Sequence, residues 1–143
     1  MIENRENVDV SESALISDKA TIRIDSGGYL KVLPGAKIDD DVRIVISSTG
    51  SVTIGRNSKI GKGTMLNCGG EILIEDSVSI YGYCILQSSI WRIDGENRLY
   101  KHGKVHLKGK SIISPYCLLS MDSIVEENEI VPPYSKLGVW LSD

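Results

Sequence analysis

The chain holds only two histidines, His102 and His106, and both fall within residues 85–107, ILQSSIWRIDGENRLYKHGKVHL. A neutral imidazole titrates near pH 6.5, so either ring is suited to taking a proton from a hydroxyl. Ser88 and Ser89 open the same stretch, and a serine becomes a nucleophile only with such a base beside it. Bland readings stand next to these. His102 precedes Gly103 in what reads as a loop, where a solvated histidine is ordinary. His106 stands one residue before a core position, so strand alternation turns it outward onto a flat face. Ser88 and Ser89 read more simply as turn residues at a widened corner. Cys84 and Cys117 fall at positions expected to point into the core, whereas Cys68, in LNCGGE, falls at a corner and is expected to be more exposed.

The elements that position these residues come from a repeat. Large aliphatics recur at 16, 22, 32, 38, 44, 54, 60, 66, 74, 80, 86, 107, 113, 119 and 125, and every one is Ile, Leu or Val. In a strand, residues two apart share a face. The residues two before these positions, from Ala14 and Ala20 to Cys117 and Ser123, are all aliphatic or small, as a narrow core requires. Most steps are six residues. The longer ones, 22 to 32, 44 to 54, 66 to 74 and 86 to 107, fall at every third hexad, so all four insertions share one corner of a three-sided coil. The first three insertions carry glycines, DSGGYLK, SSTGSVT and NCGGEIL, which suits the φ > 0 geometry of tight corners. The pattern predicts an all-β parallel β-helix of about five triangular coils over about residues 14–131. Residues 1–143 then form one domain, with a C-terminal tail at 132–143.

The fourth insertion predicts an extruded, hairpin-like loop at about 87–105. Strand-like SIWRI and RLYKH flank DGEN, whose Asp-Gly is a turn signal. Trp91, Ile93, Leu99 and Tyr100 give this arm an apolar element, which packs either on a neighbouring subunit or back over its own helix.

The hexads IGRNSKIGKGTM and IEDSVSIYGYCI resemble those of the hexapeptide-repeat, left-handed β-helix acyltransferases, and EIVPPYSKLGVW resembles the start of their C-terminal segment. The likeness is greatest to the small sugar O-acetyltransferases of polysaccharide clusters. It implies the left hand, a homotrimer, acetyl-CoA as co-substrate and a sugar or small-molecule acceptor. By position it implies that Ser114, Ser120, Pro133 and Tyr134 contact the cofactor, with Pro133 and Tyr134 at its adenine end. The family ends a middle coil in a pattern like VxIxDH, whose histidine is the base. Here the matching stretch is YCILQSSIW, and Ser88-Ser89 replace Asp-His. The base would then be His102 or His106, with Asn67, Ser88 and Ser89 as acceptor-site candidates. Alternatively the chain is a catalytically inactive scaffold or binding subunit, or a β-helix module that binds glycan or protein. Family members that hydrate carbon dioxide hold zinc with three histidines, so two imply no metal site.

Composition narrows the partners. A net charge of -3 gives no electrostatic case for nucleic acid. The apolar runs are too short for a membrane-spanning helix, and MIENRENVDVSES does not read as a signal peptide. Three cysteines without CxxC spacing point to reduced thiols and a cytoplasmic setting. Phenylalanine is absent, consistent with an interior too narrow for large rings.

Overall fold

The computed structural model describes residues 2–3 and 7–139, with backbone alone at 2–3 and 92–94. The chain winds through three parallel sheets, and no α-helix occurs among the described residues. The first side is built from Ile2–Glu3, Thr21–Ile24, Arg43–Ile46, Met65–Cys68, Ile85–Gln87, Leu118–Leu119 and Lys136–Leu137. The second side holds Val8–Val10, Tyr29–Val32, Ser51–Ile54, Glu71–Ile74, Lys104–Leu107 and Ser123–Val125. The third holds Leu15–Ile16, Lys37–Ile38, Lys59–Ile60, Ser79–Ile80, Ile112–Ile113 and Ile130–Val131.

Parallel pairing in register stacks each coil residue over its equivalent, about 4.8 Å from coil to coil. On the second side this makes a ladder of Val10, Val32, Ile54, Ile74, Leu107 and Val125. On the third it aligns Ile16, Ile38, Ile60, Ile80, Ile113 and Val131. Apart from Ala14 and Ile16 in the first coil, the repeat residues and their small partners are buried. They form one continuous aliphatic cluster along the axis.

Six strands on each of two sides make six turns rather than five. The ladder continues at six-residue steps beyond both ends of the expected run, to Val10 before Ile16 and to Val131 and Leu137 after Val125. A polar N-terminus and the pair Pro132-Pro133 mask these steps in the sequence. Part of the expected tail, 132–139, therefore carries one more strand, while residues 140–143 lie outside the described residues.

All four insertions fall at the corner between the first and second sides, hereafter the first corner. Their glycines serve mainly another need than the one expected. Among the glycines of the first three insertions only Gly27 has a positive φ, +96°. At Gly28, Gly50 and Gly70 a Cβ would collide with a backbone carbonyl of the next coil, Ser47, Cys68 and Gly103 respectively. Close coil-to-coil approach, more than turn geometry, calls for glycine here.

The axis should be far less tolerant than the outward faces. Ile44→Ala, which hollows a fully buried ladder position, is expected to lose about 2–5 kcal/mol of stability. Ile124→Ala, outward on the second side, should change it by less than about 0.5 kcal/mol. Chemical denaturation of the two variants checks this; equal losses would mean that the ladder does not carry the fold.

Candidate functional site

The loop expected at 87–105 is a two-stranded antiparallel hairpin, Ser89–Asp94 paired with Asn97–His102. Gln87 and Ser88 stay with the coil on one side of it, and Gly103 to Val105 on the other. The junction is pinned by backbone hydrogen bonds. Gly103 N–H donates to the Ser88 carbonyl at 2.7 Å, Ser88 N–H donates to the Asn67 carbonyl at 3.0 Å, and Glu71 N–H donates to the Gly103 carbonyl at 2.9 Å. The hairpin thus leaves and re-enters the first corner within one hydrogen bond.

Hairpin pairing sets His102 opposite Ser89 and Tyr100 opposite Trp91. Cross-strand partners share a face, so Ser89, Trp91, Tyr100 and His102 lie on one face of the arm. Their rings form a short line. Trp91 and Tyr100 tilt against each other at 4.9 Å between centroids, and Tyr100 meets His102 edge-on at 5.8 Å. Tyr100 reaches back to the helix: a Cβ on Gly69 would overlap its hydroxyl and would crowd Ser89 Oγ. Trp91 stays 56% exposed. Tyr100 therefore folds back over its own coil while Trp91 remains open; the side chain of Ile93 lies outside the described residues.

Ser88 and Ser89 occupy different surroundings. Ser89 stands at the base of the arm beside Gly69. Ser88 is buried and faces the axis, rather than forming an exposed turn. Its hydroxyl accepts from Gly70 N–H at 3.0 Å and donates to Cys68 Sγ at 3.3 Å. Cys68 is buried too, contrary to the exposed corner position expected. On the first side the inward face continues two residues past each ladder position, which puts Ile24, Ile46, Cys68 and Ser88 in the interior. Burial pushes the Cys68 and Cys84 thiols up, so neither is a nucleophile near neutral pH. Cys84 and Cys117 lie in the core as expected.

Asn67 and Gln87 are register neighbours pointing outward from the first side at this corner. Gln87 Nε2 donates to Ser120 Oγ at 3.4 Å, and Ser120 itself is buried. Ser114, Pro133 and Tyr134 lie at the opposite end of the first side, at the corner between the third and first sides. The structure therefore separates Ser120 from the other three cofactor candidates. At that second corner Tyr83, Tyr116 and Tyr134 stack with centroids 5.5 and 5.4 Å apart. All three have positive φ, 52°, 64° and 63°, a conformation that a bulky side chain adopts only at a cost. Parallel stacking offsets that cost, and Tyr134, 77% exposed, ends the stack.

His106 points outward between Leu73 and Ile124 on the second side. Its Nε2 lies 2.5 Å from Glu75 Oε2, and Gly109 N–H donates to the other oxygen of that carboxylate at 3.2 Å. The result is a carboxylate-oriented imidazole whose side chain is 20% exposed. No local pattern in the sequence marks Glu75. The signal was the pairing of Ile74 with Leu107, which brings Glu75 near His106 but is hidden by the insertion between them. No group of three or more His, Cys, Asp or Glu side chains fit to hold a metal occurs among the described residues.

No protein-family model matches the chain, and no curated protein does. Solved structures do. A serine-to-threonine variant of AntD, an N-acyltransferase from Bacillus cereus in complex with dTDP and coenzyme A, is 29% identical. Its TM-score is 0.55, over 84% of this chain and 72% of that one. The chain shares its fold with an acyltransferase. The polySia specific acetyltransferase NeuO, 18% identical with a TM-score of 0.51 over 90% of this chain and 73% of its own, shows the fold alone.

The seat of Tyr100 on Gly69 gives a direct test of the corner. Gly69→Ala must displace the tyrosine and is expected to speed amide hydrogen exchange across residues 89–102, leaving the third side protected. An unchanged exchange pattern in the arm would mean that this contact does not anchor it.

Proposed function

We propose that the chain is an acyltransferase that moves an acetyl group from acetyl-CoA to a sugar hydroxyl in surface-polysaccharide biosynthesis, with His102 as the base. The observation that carries the reading is the hairpin pairing of His102 with Ser89. Ser89 stands where the enzymes this chain resembles have their catalytic histidine, so the arm returns an imidazole to that place. The fold shared with AntD, solved with coenzyme A, supports a CoA-type co-substrate.

Bound acetyl-CoA supplies an activated thioester. His102 takes the proton from the acceptor hydroxyl as its oxygen bonds to the acyl carbon, and gives that proton to the departing sulfur. Backbone N–H groups or polar side chains at the corner, with Asn67, Gln87 and Ser89 nearest, steady the charge on the carbonyl oxygen. Ser114, Pro133 and Tyr134 suit the adenine end, where the exposed ring of Tyr134 offers a flat apolar face. Between the corners, half-buried Met65, Ile85 and Leu118 form an apolar strip on the outward face of the first side. The two sets of contacts stand at opposite ends of one side, an arrangement that favours a cleft formed between adjacent copies in a left-handed, trimeric assembly. His106, held by Glu75, is the alternative base.

One observation favours the second reading, an inactive scaffold: Tyr100 packs against Gly69 beside Ser89 and occupies part of the corner. Two measurements separate the readings. Coenzyme A at about 100 times its dissociation constant should stabilise the fold by about 2.7 kcal/mol in a thermal-shift assay. His102→Ala should lower kcat about 10²- to 10⁴-fold with the KM for acetyl-CoA unchanged, while His106→Ala stays near wild type. No shift at millimolar coenzyme A would favour the scaffold; a loss confined to His106→Ala would move the base to the Glu75 pair.

A further inference from the structure

We infer that Trp91 and Tyr100 form the acceptor platform, a stacking site for a pyranose ring of a glycan; the inference rests on the acyltransferase reading and adds its acceptor subsite. Trp91, 56% exposed, and Tyr100, 40% exposed, stand side by side on the projecting arm as one aromatic patch open to solvent. Here the indole is held in place. Trp91 leans on Tyr100, and Tyr100 is seated on Gly69, where no larger residue leaves room for its hydroxyl.

The chemistry of the face selects the occupant. Its apolar part is two tilted rings, and its polar part is His102 and Ser89 at the base of the arm and Arg98 toward its tip, all on the same face. A pyranose matches both parts, with an apolar C–H face for the rings and hydroxyls for the polar edge. The spacing matches as well. Steps of 4.9 Å from Trp91 to Tyr100 and 5.8 Å from Tyr100 to His102 lead from solvent to the imidazole. A glycan lying along the line, with one ring on Trp91, therefore brings a hydroxyl of the next ring toward the base. The opposite face of the same hairpin supplies an internal control. Leu99, paired with Arg92, is 41% exposed and points away from the line.

Trp91→Ala is expected to raise the acceptor KM about tenfold, with the KM for acetyl-CoA within about twofold of wild type. Trp91→Phe should restore most of the loss, and Leu99→Ala should change neither constant. An acceptor KM unmoved by Trp91→Ala overturns the inference. If wild type transfers no acetyl group, the acyltransferase reading fails by itself, and an array of pyranose glycans decides the platform. Retention by wild type and loss in Trp91→Ala sustain it; equal binding by both, or none by either, overturns it. Trp140→Phe leaves Trp91 as the sole indole, since the chain has two tryptophans. Acrylamide should quench that indole freely without sugar, and shielding before any sugar is added would mean that a second copy covers it, which also overturns the inference.

Discussion

Parallel pairing in register obliges every residue of a coil to sit about 4.8 Å above its counterpart in the previous one. Much else in the structure follows from that single condition. A narrow three-sided interior is filled by branched aliphatics with small residues among them, which accounts for a chain rich in isoleucine and free of phenylalanine. The condition applies equally at the corners. Where coils come close, glycine is set beneath a carbonyl. Where a side chain projects at the third-to-first corner, tyrosine repeats in three successive coils and the rings stack.

Stacking also governs where chemistry can occur. Residues facing the axis are withdrawn from it: inside the core the Ser88 hydroxyl donates to Cys68 Sγ, and that thiol faces the Ser51 and Gly70 carbonyls. Outward residues lie on evenly spaced faces whose hollows are shallow and open; one of about 290 Å³ is lined by Lys104, His106, Asp122 and Ile124. A deeper, more enclosed site has to come from an added element or an added copy. The hairpin at 89–102 is the added element here, and it carries one of the two imidazoles to the first corner. The other imidazole lines that hollow, with Glu75 on its ring and Gly109 behind the carboxylate.

Most of the axis was legible in the sequence because two periodicities agree, six residues between large aliphatics and two residues to a small partner. The sixth turn was hidden by composition rather than by a break in the pattern, since Val10, Val131 and Leu137 keep the step of six. Cys68 and Ser88 were misplaced for a different reason: strands on the first side run longer, and the inward face extends beyond the ladder residue. The hairpin was foreshadowed by equal strand-like flanks around DGEN, which already imply Ser89 facing His102. What no local pattern carries is lateral contact across an insertion. The pairing of Glu75 with His106 and the seat of Tyr100 on Gly69 both join residues that only the coil register brings together.

The closing bond between Ser88 and Gly103 has a consequence for how such a molecule diversifies. Because the arm begins and ends across one hydrogen bond, the coil is complete with or without it. Its length and composition are thus free to vary without disturbing the ladder, and surface loops of this kind tolerate insertion well. The axis acts as a fixed mount and the arm as an exchangeable fitting. A lineage of these proteins can change what it recognises by grafting fourteen residues at a single junction, 89 to 102, rather than by rebuilding a pocket.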